Sequence, residues 1–469
     1  MSYNPDGAAR QGNPRPLARA SRGNEVPGLA ARKTAASILR QVLERGVPLD
    51  ALVDEAHGTA HFRALESRDR ALTRAIVGAA LRRRGEIEAA LSRCLDRKLP
   101  PESGALSAIL HVAAAQILFL DVPDHAAVSL AVTQAAGERR IRNAKGVVNS
   151  VLRRLARERD EIVARADPGR INTPGWLFRR WSDAYSEELA LEIAEAHLSQ
   201  PGLDLTVPRD PAAWAERLGG MLLPTGTVRL AEAGRVSALP GYDEGSWWVQ
   251  DAAAALPARL LGDVAGLQVA ELCAAPGGKT AELAVAGAEV IAVDLSPNRL
   301  KRVAGNLARL RLRATLVAAD ILSWEPGRPF DAVLLDAPCS ATGTIRRHPD
   351  IPWLKRPADI VSLAALQAKM LGRAAAWVRP GGRLVFCTCS LEPEEGEMQV
   401  EPFLAAHPEF ALDPISASEL SGLEHLLTPD GMLRTLPAHG FGSTQVPPDV
   451  AHTGHGMDGF FAARFRRAG

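Results

Sequence analysis

The sequence predicts a multidomain chain. An all-helical front is followed by a small α/β connector and a C-terminal α/β domain with a doubly wound, Rossmann-like parallel sheet. Three observations carry this. Apolar residues between about 29 and 160 recur at helical spacing. Proline-containing stretches crowd 161–245. From about 246, short β-rich runs alternate with helical segments, the pattern of βαβ units. The length of 469 residues suits about three domains.

Residues 1–28 are rich in Gly, Pro, Asn, Ser and Arg without periodicity, so a disordered basic tail is expected. In 29–160, Ala35, Ile38, Leu39, Val42 and Leu43 form one helical stripe. Val147, Val148, Val151, Leu152 and Leu155 form another, with Arg153, Arg154 and Arg157 off it. Pro100-Pro101 and Asp121-Val122-Pro123-Asp124 break the helices, leaving room for six or seven. The nearly uncharged run 104–120 is short for a membrane span and carries Ser107, His111 and Gln116, so it reads as a buried helix. In 161–245, prolines 168, 174, 201, 208, 211, 224 and 240 mark the connector. Beyond 246, strands are predicted over 268–273, 289–294, 315–320, 331–336 and 383–388, and helices over 297–310 and 360–378.

Hydrophobic residues make up 46% and charged residues 23%, which excludes a wholly disordered or collagen-like chain. No apolar leader opens the chain and only five cysteines occur, which points to a reducing cytoplasm. A net charge of +1 neither demands nor excludes nucleic acid. Its distribution is uneven: residues 1–45 hold eight Lys/Arg against three Asp/Glu, and 138–160 repeat the imbalance.

The first predicted strand of the C-terminal domain runs into Cys273-Ala274-Ala275-Pro276-Gly277-Gly278-Lys279. Small residues and two glycines let a backbone approach a ligand closely at the carboxyl end of a strand. The spacing matches neither a P-loop nor a dinucleotide fingerprint. Later strands end at Asp294, Asp320 and Asp336. A helix N-cap is the bland reading of any one such acid. Repeated at successive strand ends, acids converge on one crevice, and an acid after the second strand suits ribose hydroxyls. Acids without phosphate-binding chemistry fit an adenosine cofactor bearing positive charge, S-adenosyl-L-methionine.

Cys339 follows the fourth strand and Cys389 the fifth. They lack His partners at ligand spacing, so no metal site is expected. Buried inert thiols are the other plain reading. A thiolate beside a methyl donor suits methylation at C5 of a pyrimidine: addition at C6 makes C5 nucleophilic. Asp336 is placed to support N3 as charge builds there. Spacing alone leaves open which cysteine attacks.

At these residues the chain resembles the RNA 5-methylcytosine methyltransferases, most of all bacterial members acting on small-subunit ribosomal RNA. The carriers are residues 273–279, Asp336-Ala337-Pro338-Cys339-Ser340-Ala341-Thr342-Gly343, Ile345-Arg346-Arg347-His348-Pro349-Asp350, Thr388-Cys389-Ser390, Gln250-Asp251 and Asp458-Gly459-Phe460-Phe461. Lys145-Gly146-Val147-Val148-Asn149-Ser150-Val151-Leu152-Arg153-Arg154 resembles an RNA-binding domain of the NusB type. The resemblance spans about 30–469. It implies Cys389 as nucleophile, Cys339 as the group assisting release, Asp336 at both the cytosine and the cofactor, and residues 273–279, Asp294 and Asp320 at the cofactor. It departs from the family at Glu271, where Asp is usual, at Cys387, and at Gly396, which follows the paired acids Glu394-Glu395. Cys387 is expected to form an off-path disulfide or nothing.

On the substrate side, Arg346, Arg347 and His348 are candidates for phosphate contacts or for shaping the RNA path, with a solvated loop as the plain alternative. Arg139, Arg140, Arg142, Arg153, Arg154 and Arg157 are candidates for a basic face, with a merely solvated face as the alternative. The leading substrate is structured small-subunit ribosomal RNA at a loop or junction, free or in an assembling particle. The same chemistry on transfer RNA, or a non-catalytic RNA-binding assembly factor, are the other readings. No membrane contact and no obligate protein partner are expected.

Overall fold

The computed structural model describes residues 26–440 and 456–469, apart from 98, 100–102, 164–166, 232, 233 and 421. Most of the expected tail and the Pro100-Pro101 break lie outside the described residues.

The front of the chain is helical. Its longer helices are Leu29–Arg45, Ser67–Arg82, Arg84–Cys94, Gly104–Phe119, Asp124–Gly137 and Lys145–Arg157, with short turns of helix between. Ile38, Leu39, Val42, Ile76, Leu110, Ile117 and Leu152 meet in its core. Each such side chain stabilises the fold by about 1.5–3 kcal/mol. Gly104–Phe119 is buried along most of its length. Gln116 sits there without cost: it accepts from Arg32 Nε at 2.9 Å and donates to Val112 O at 2.8 Å. In Lys145–Arg157 the buried stripe is Val148, Val151, Leu152 and Leu155. Val147, expected within it, is exposed. Residues 148, 151, 152 and 155 already complete the i, i+3, i+4, i+7 face, and 147 falls beyond its edge.

The connector begins with helices Gly175–Ala184 and Glu187–Ala196, whose Leu177, Phe178, Trp181 and Ile193 pack on Ile345, Ile351 and Leu391. A small antiparallel sheet follows, ordered β2-β3-β1-β4. Its strands are β1 (Leu203–Thr206), β2 (Met221–Leu222), β3 (Thr227–Leu230) and β4 (Trp248–Val249).

The large sheet contains β5 (Gln268–Leu272), β6 (Glu289–Asp294), β7 (Thr315–Ala318), β8 (Phe330–Asp336), β9 (Val378–Thr388), β10 (Phe410–Leu412), β11 (Leu433–Thr435) and β12 (Phe460–Arg467). Its order is β10-β12-β9-β8-β5-β6-β7, with β11 also on β12. The strands from β7 across to β9 are parallel, as expected. The sheet as a whole is mixed, because β12 enters antiparallel to β9. Phe460 and Ala462 face one core, and Phe461, Ala463 and Phe465 the other. Burial on both faces explains that continuous apolar run. Two predicted strands stop early. Cys273 leaves β5 in the left-handed region at φ 64, and β7 ends at Ala318, two residues before Asp320.

The helical front docks on the segment after Cys339. Leu49 N donates to Asp350 Oδ2 at 2.8 Å, Arg82 to Arg346 O at 2.9 Å, and Trp353 Nε1 to Leu81 O at 3.0 Å. Among the described residues no helix is long and apolar enough to cross a membrane.

Candidate active site

The strand order reverses at β5, which has β6 on one side and β8 on the other. A crevice opens there, at the carboxyl ends of the strands. The loop 273–279 leaves β5 into the helix Gly278–Val285. Gly277 takes φ 100, and a Cβ there would press on Val303 Cγ1 at 2.9 Å. Glycine is what the loop needs at that point.

Lys279 turns back across the crevice. Its Nζ lies 2.9 Å from Asp336 Oδ2 and 5.0 Å from the centre of the Phe460 ring. Burial works against its charge, yet Asp336 more than compensates and holds its pKa above the usual value. Lys279 is thus committed to Asp336. At the end of β6, Asp294 accepts from Ser296 N at 2.9 Å and Ala275 N at 3.2 Å, and lies 3.3 Å from Arg299. Asp294 therefore ties the 273–279 loop to its own strand end. Asp320 is exposed and accepts from Leu322 N at 3.0 Å. Glu271 is buried, and burial pushes its carboxyl up to about 8. Its Oε2 has no hydrogen-bond partner among the described residues.

The two cysteines of interest meet. Register pairs Asp336 on β8 with Cys387 on β9, so the loops beyond leave the sheet side by side. The sulfur atoms of Cys339 and Cys389 lie 3.4 Å apart. The hydrogen bond with Cys389, together with burial, raises the Cys339 pKa well above that of a free thiol. Of the two outcomes expected for Cys387, the structure shows the one without a disulfide, and its buried thiol donates to Asp336 Oδ1 at 3.6 Å. Asp336 thus receives Lys279 on one oxygen and Cys387 on the other.

In Arg346 and Arg347, both guanidiniums turn into a charged cluster of acids. Arg346 lies 3.0 Å from Asp458 and 3.7 Å from Asp251. Arg347 lies 2.6 Å from Asp251, 3.1 Å from Asp458 and 3.7 Å from Asp204. A buried guanidinium needs such partners. The acids come from motifs at opposite ends of the domain, so this pairing was not readable from local pattern. His348 pairs with Asp50 of the helical front at 3.2 Å.

On the front, Arg139, Arg140, Arg142 and Lys145 stand exposed. Arg153 donates to Asn149, while Arg154 and Arg157 pair with Glu158. Arg153 and Arg157 are exposed as well, so the candidate cations run from 139 to 157.

Sequence comparison decides the family. The chain is 34% identical over 451 residues to ribosomal RNA small subunit methyltransferase B of Shewanella oneidensis, covering 93% of this chain and 99% of that one. It is 37% identical over 397 residues to the protein of that name in Vibrio vulnificus, covering 80% and 91%. The chain belongs to the ribosomal RNA small subunit methyltransferase B family. Residues 260–466 match the 16S rRNA methyltransferase RsmB/F family model, and 29–157 match the NusB family. The fold agrees with solved structures. PH0851 superposes with a TM-score of 0.68 at 22% identity, covering 94% of this chain and 99% of that one. A methyltransferase homolog from Pyrococcus horikoshii gives 0.50 at 27% identity, covering 62% and 93%.

As a member of this family the chain is an S-adenosylmethionine-dependent methyltransferase of small-subunit ribosomal RNA. The crevice fits that cofactor. Its acceptors are the acid side chains at the strand ends, the buried Glu271 Oε2 has no partner among the described residues, and Lys279 is already paired. Such a set suits hydroxyls and a cation, not a phosphate.

Proposed function

We propose that this enzyme methylates C5 of a cytosine in small-subunit ribosomal RNA through a transient bond between Cys389 and C6. The observation that carries the reading is the pair of thiols at 3.4 Å, on adjacent loops beside the Lys279–Asp336 ion pair. Residues 273–279, Asp294, Asp320 and Asp336 would hold S-adenosyl-L-methionine, which supplies an electrophilic methyl group when bound.

The chain's own residues do the rest. Cys389 would attack C6 as its thiolate, its proton released to water, with the Cys339 thiol placed to hydrogen-bond to it. As the C6–S bond forms, electron density moves toward C5 and N3. Asp336 would support the polar edge of the base at N3 as charge builds there. C5 then takes the methyl group. The C5 proton passes to water, its electron pair restores the C5–C6 double bond, and the C6–S bond breaks with its pair returning to the Cys389 sulfur, with Cys339 assisting the release. A base within a helix must be flipped out to reach this site, so a loop or junction is the favoured target. The helical front presents its 139–157 surface to RNA, in the cytoplasm, on free RNA or on an assembling particle.

Bisulfite mapping of cellular RNA with and without the gene tests this. One small-subunit cytosine should lose its protection in the deletion. Loss at a transfer RNA position instead, or at no position, would refute the assignment.

A further inference from the structure

We propose that Glu395 is the positioning residue that holds the two reactive thiols at working distance. The proposal rests on the reading above for its catalytic meaning, but its geometry stands alone. Glu395 follows β9 by seven residues and is fully buried. Among the described residues no cation pairs with it. It is satisfied instead by neutral donors from both cysteine loops. Oε1 receives Ser340 N at 2.9 Å and Gln367 Nε2 at 3.0 Å. Oε2 receives the Ser390 hydroxyl at 2.6 Å and, more closely, the Ser340 hydroxyl.

Those serines are informative by position. Ser340 directly follows Cys339, and Ser390 directly follows Cys389. One carboxylate therefore grips the residue next to each sulfur. The two hydroxyls also meet each other at 3.0 Å. Gly343 N also donates to Cys389 O at 3.0 Å and Leu391 N to Thr342 Oγ1 at 3.0 Å, but Glu395 is the group that binds the residue next to each sulfur. A buried carboxylate bound only by neutral donors is costly to keep, and a fold that needed only packing would place an apolar side chain there. The neighbouring acids serve elsewhere. Glu392 and Glu394 both bind Arg180 of the connector, at 2.5 Å and 2.7 Å. In chain order, the first two acids tether the connector and the third tethers the loops that carry the two thiols.

The test reads sulfur spacing directly, independent of which cysteine attacks. The full-length protein is treated with diamide, and the Cys339–Cys389 disulfide is followed by peptide mass mapping. Disulfide closure is geometrically demanding, so Glu395→Ala should slow it by about tenfold or more while S-adenosylmethionine still binds. Methyl transfer to a small-subunit ribosomal RNA transcript should fall about 100-fold in kcat with KM little changed, the usual scale for a misplaced reacting group. Glu395→Gln should restore most of both. Its carbonyl can take the two N–H donors while the hydroxyls turn to accept from its amide. A folded Glu395→Ala protein that closes the disulfide at the wild-type rate overturns the proposal, as does a glutamine variant no better than alanine. If the alanine variant does not fold, the Ser340→Ala/Ser390→Ala protein decides by the same rate. If disulfide closure slows as expected but Cys389→Ala still transfers methyl groups, Glu395 keeps its role in spacing the sulfurs and the nucleophile assignment alone fails.

Discussion

The sulfur of Cys339 sits 3.4 Å from that of Cys389, although fifty residues separate them along the chain. On the proposed mechanism the two thiols would divide the labour of an addition–elimination sequence, and substitution should separate the halves. Cys389→Ala should abolish methyl transfer and keep cofactor binding by calorimetry. Cys339→Ala should trap a protein–RNA adduct, seen as a slow band on a denaturing gel. Adduct from Cys389→Ala instead would reverse the two roles.

The charged cluster around Arg346 makes a prediction about stability. Arg346, Asp458 and Asp251 are buried, and removing one partner strands the others without water. Arg346→Ala should cost about 3 kcal/mol in urea unfolding. A loss indistinguishable from zero would mean that the cluster opens to solvent.

Glu271 predicts a pH dependence. Burial raises its carboxyl to about 8, from 4.5 when unfolded. Between those values the folded state keeps a proton that the unfolded chain has released. Stability therefore falls as pH rises from 4.5 to 8, by at most about 1.4 kcal/mol per unit. Urea midpoints between pH 5 and pH 8 should decline less steeply in Glu271→Gln than in the wild type. Parallel slopes would contradict this.

The exposed cations Arg139, Arg140, Arg142 and Lys145 predict a salt effect. If they meet phosphates, each alanine substitution should weaken RNA binding at low salt. Each should also reduce the slope of log K against log salt by about 0.7–0.9. Unchanged affinity in a filter-binding titration would mark them as a solvated face.

Local pattern in the sequence was enough for the helical front, the parallel strands, and the strand ends that carry Cys273, Asp294, Asp336, Cys339 and Cys389. These depend on periodicity of two or 3.6 residues and on where glycine and proline stop an element, all within a few positions of one another. Tertiary structure alone settled the partners. It turned Arg346 and Arg347 inward, set Cys387 and Lys279 on Asp336, and joined Glu395 to both serines. Those contacts link residues five to more than a hundred positions apart, and depend on strand register and on which charges packing removes from water. Periodicity encodes which face a side chain occupies; the identity of what it meets there comes only from the folded chain.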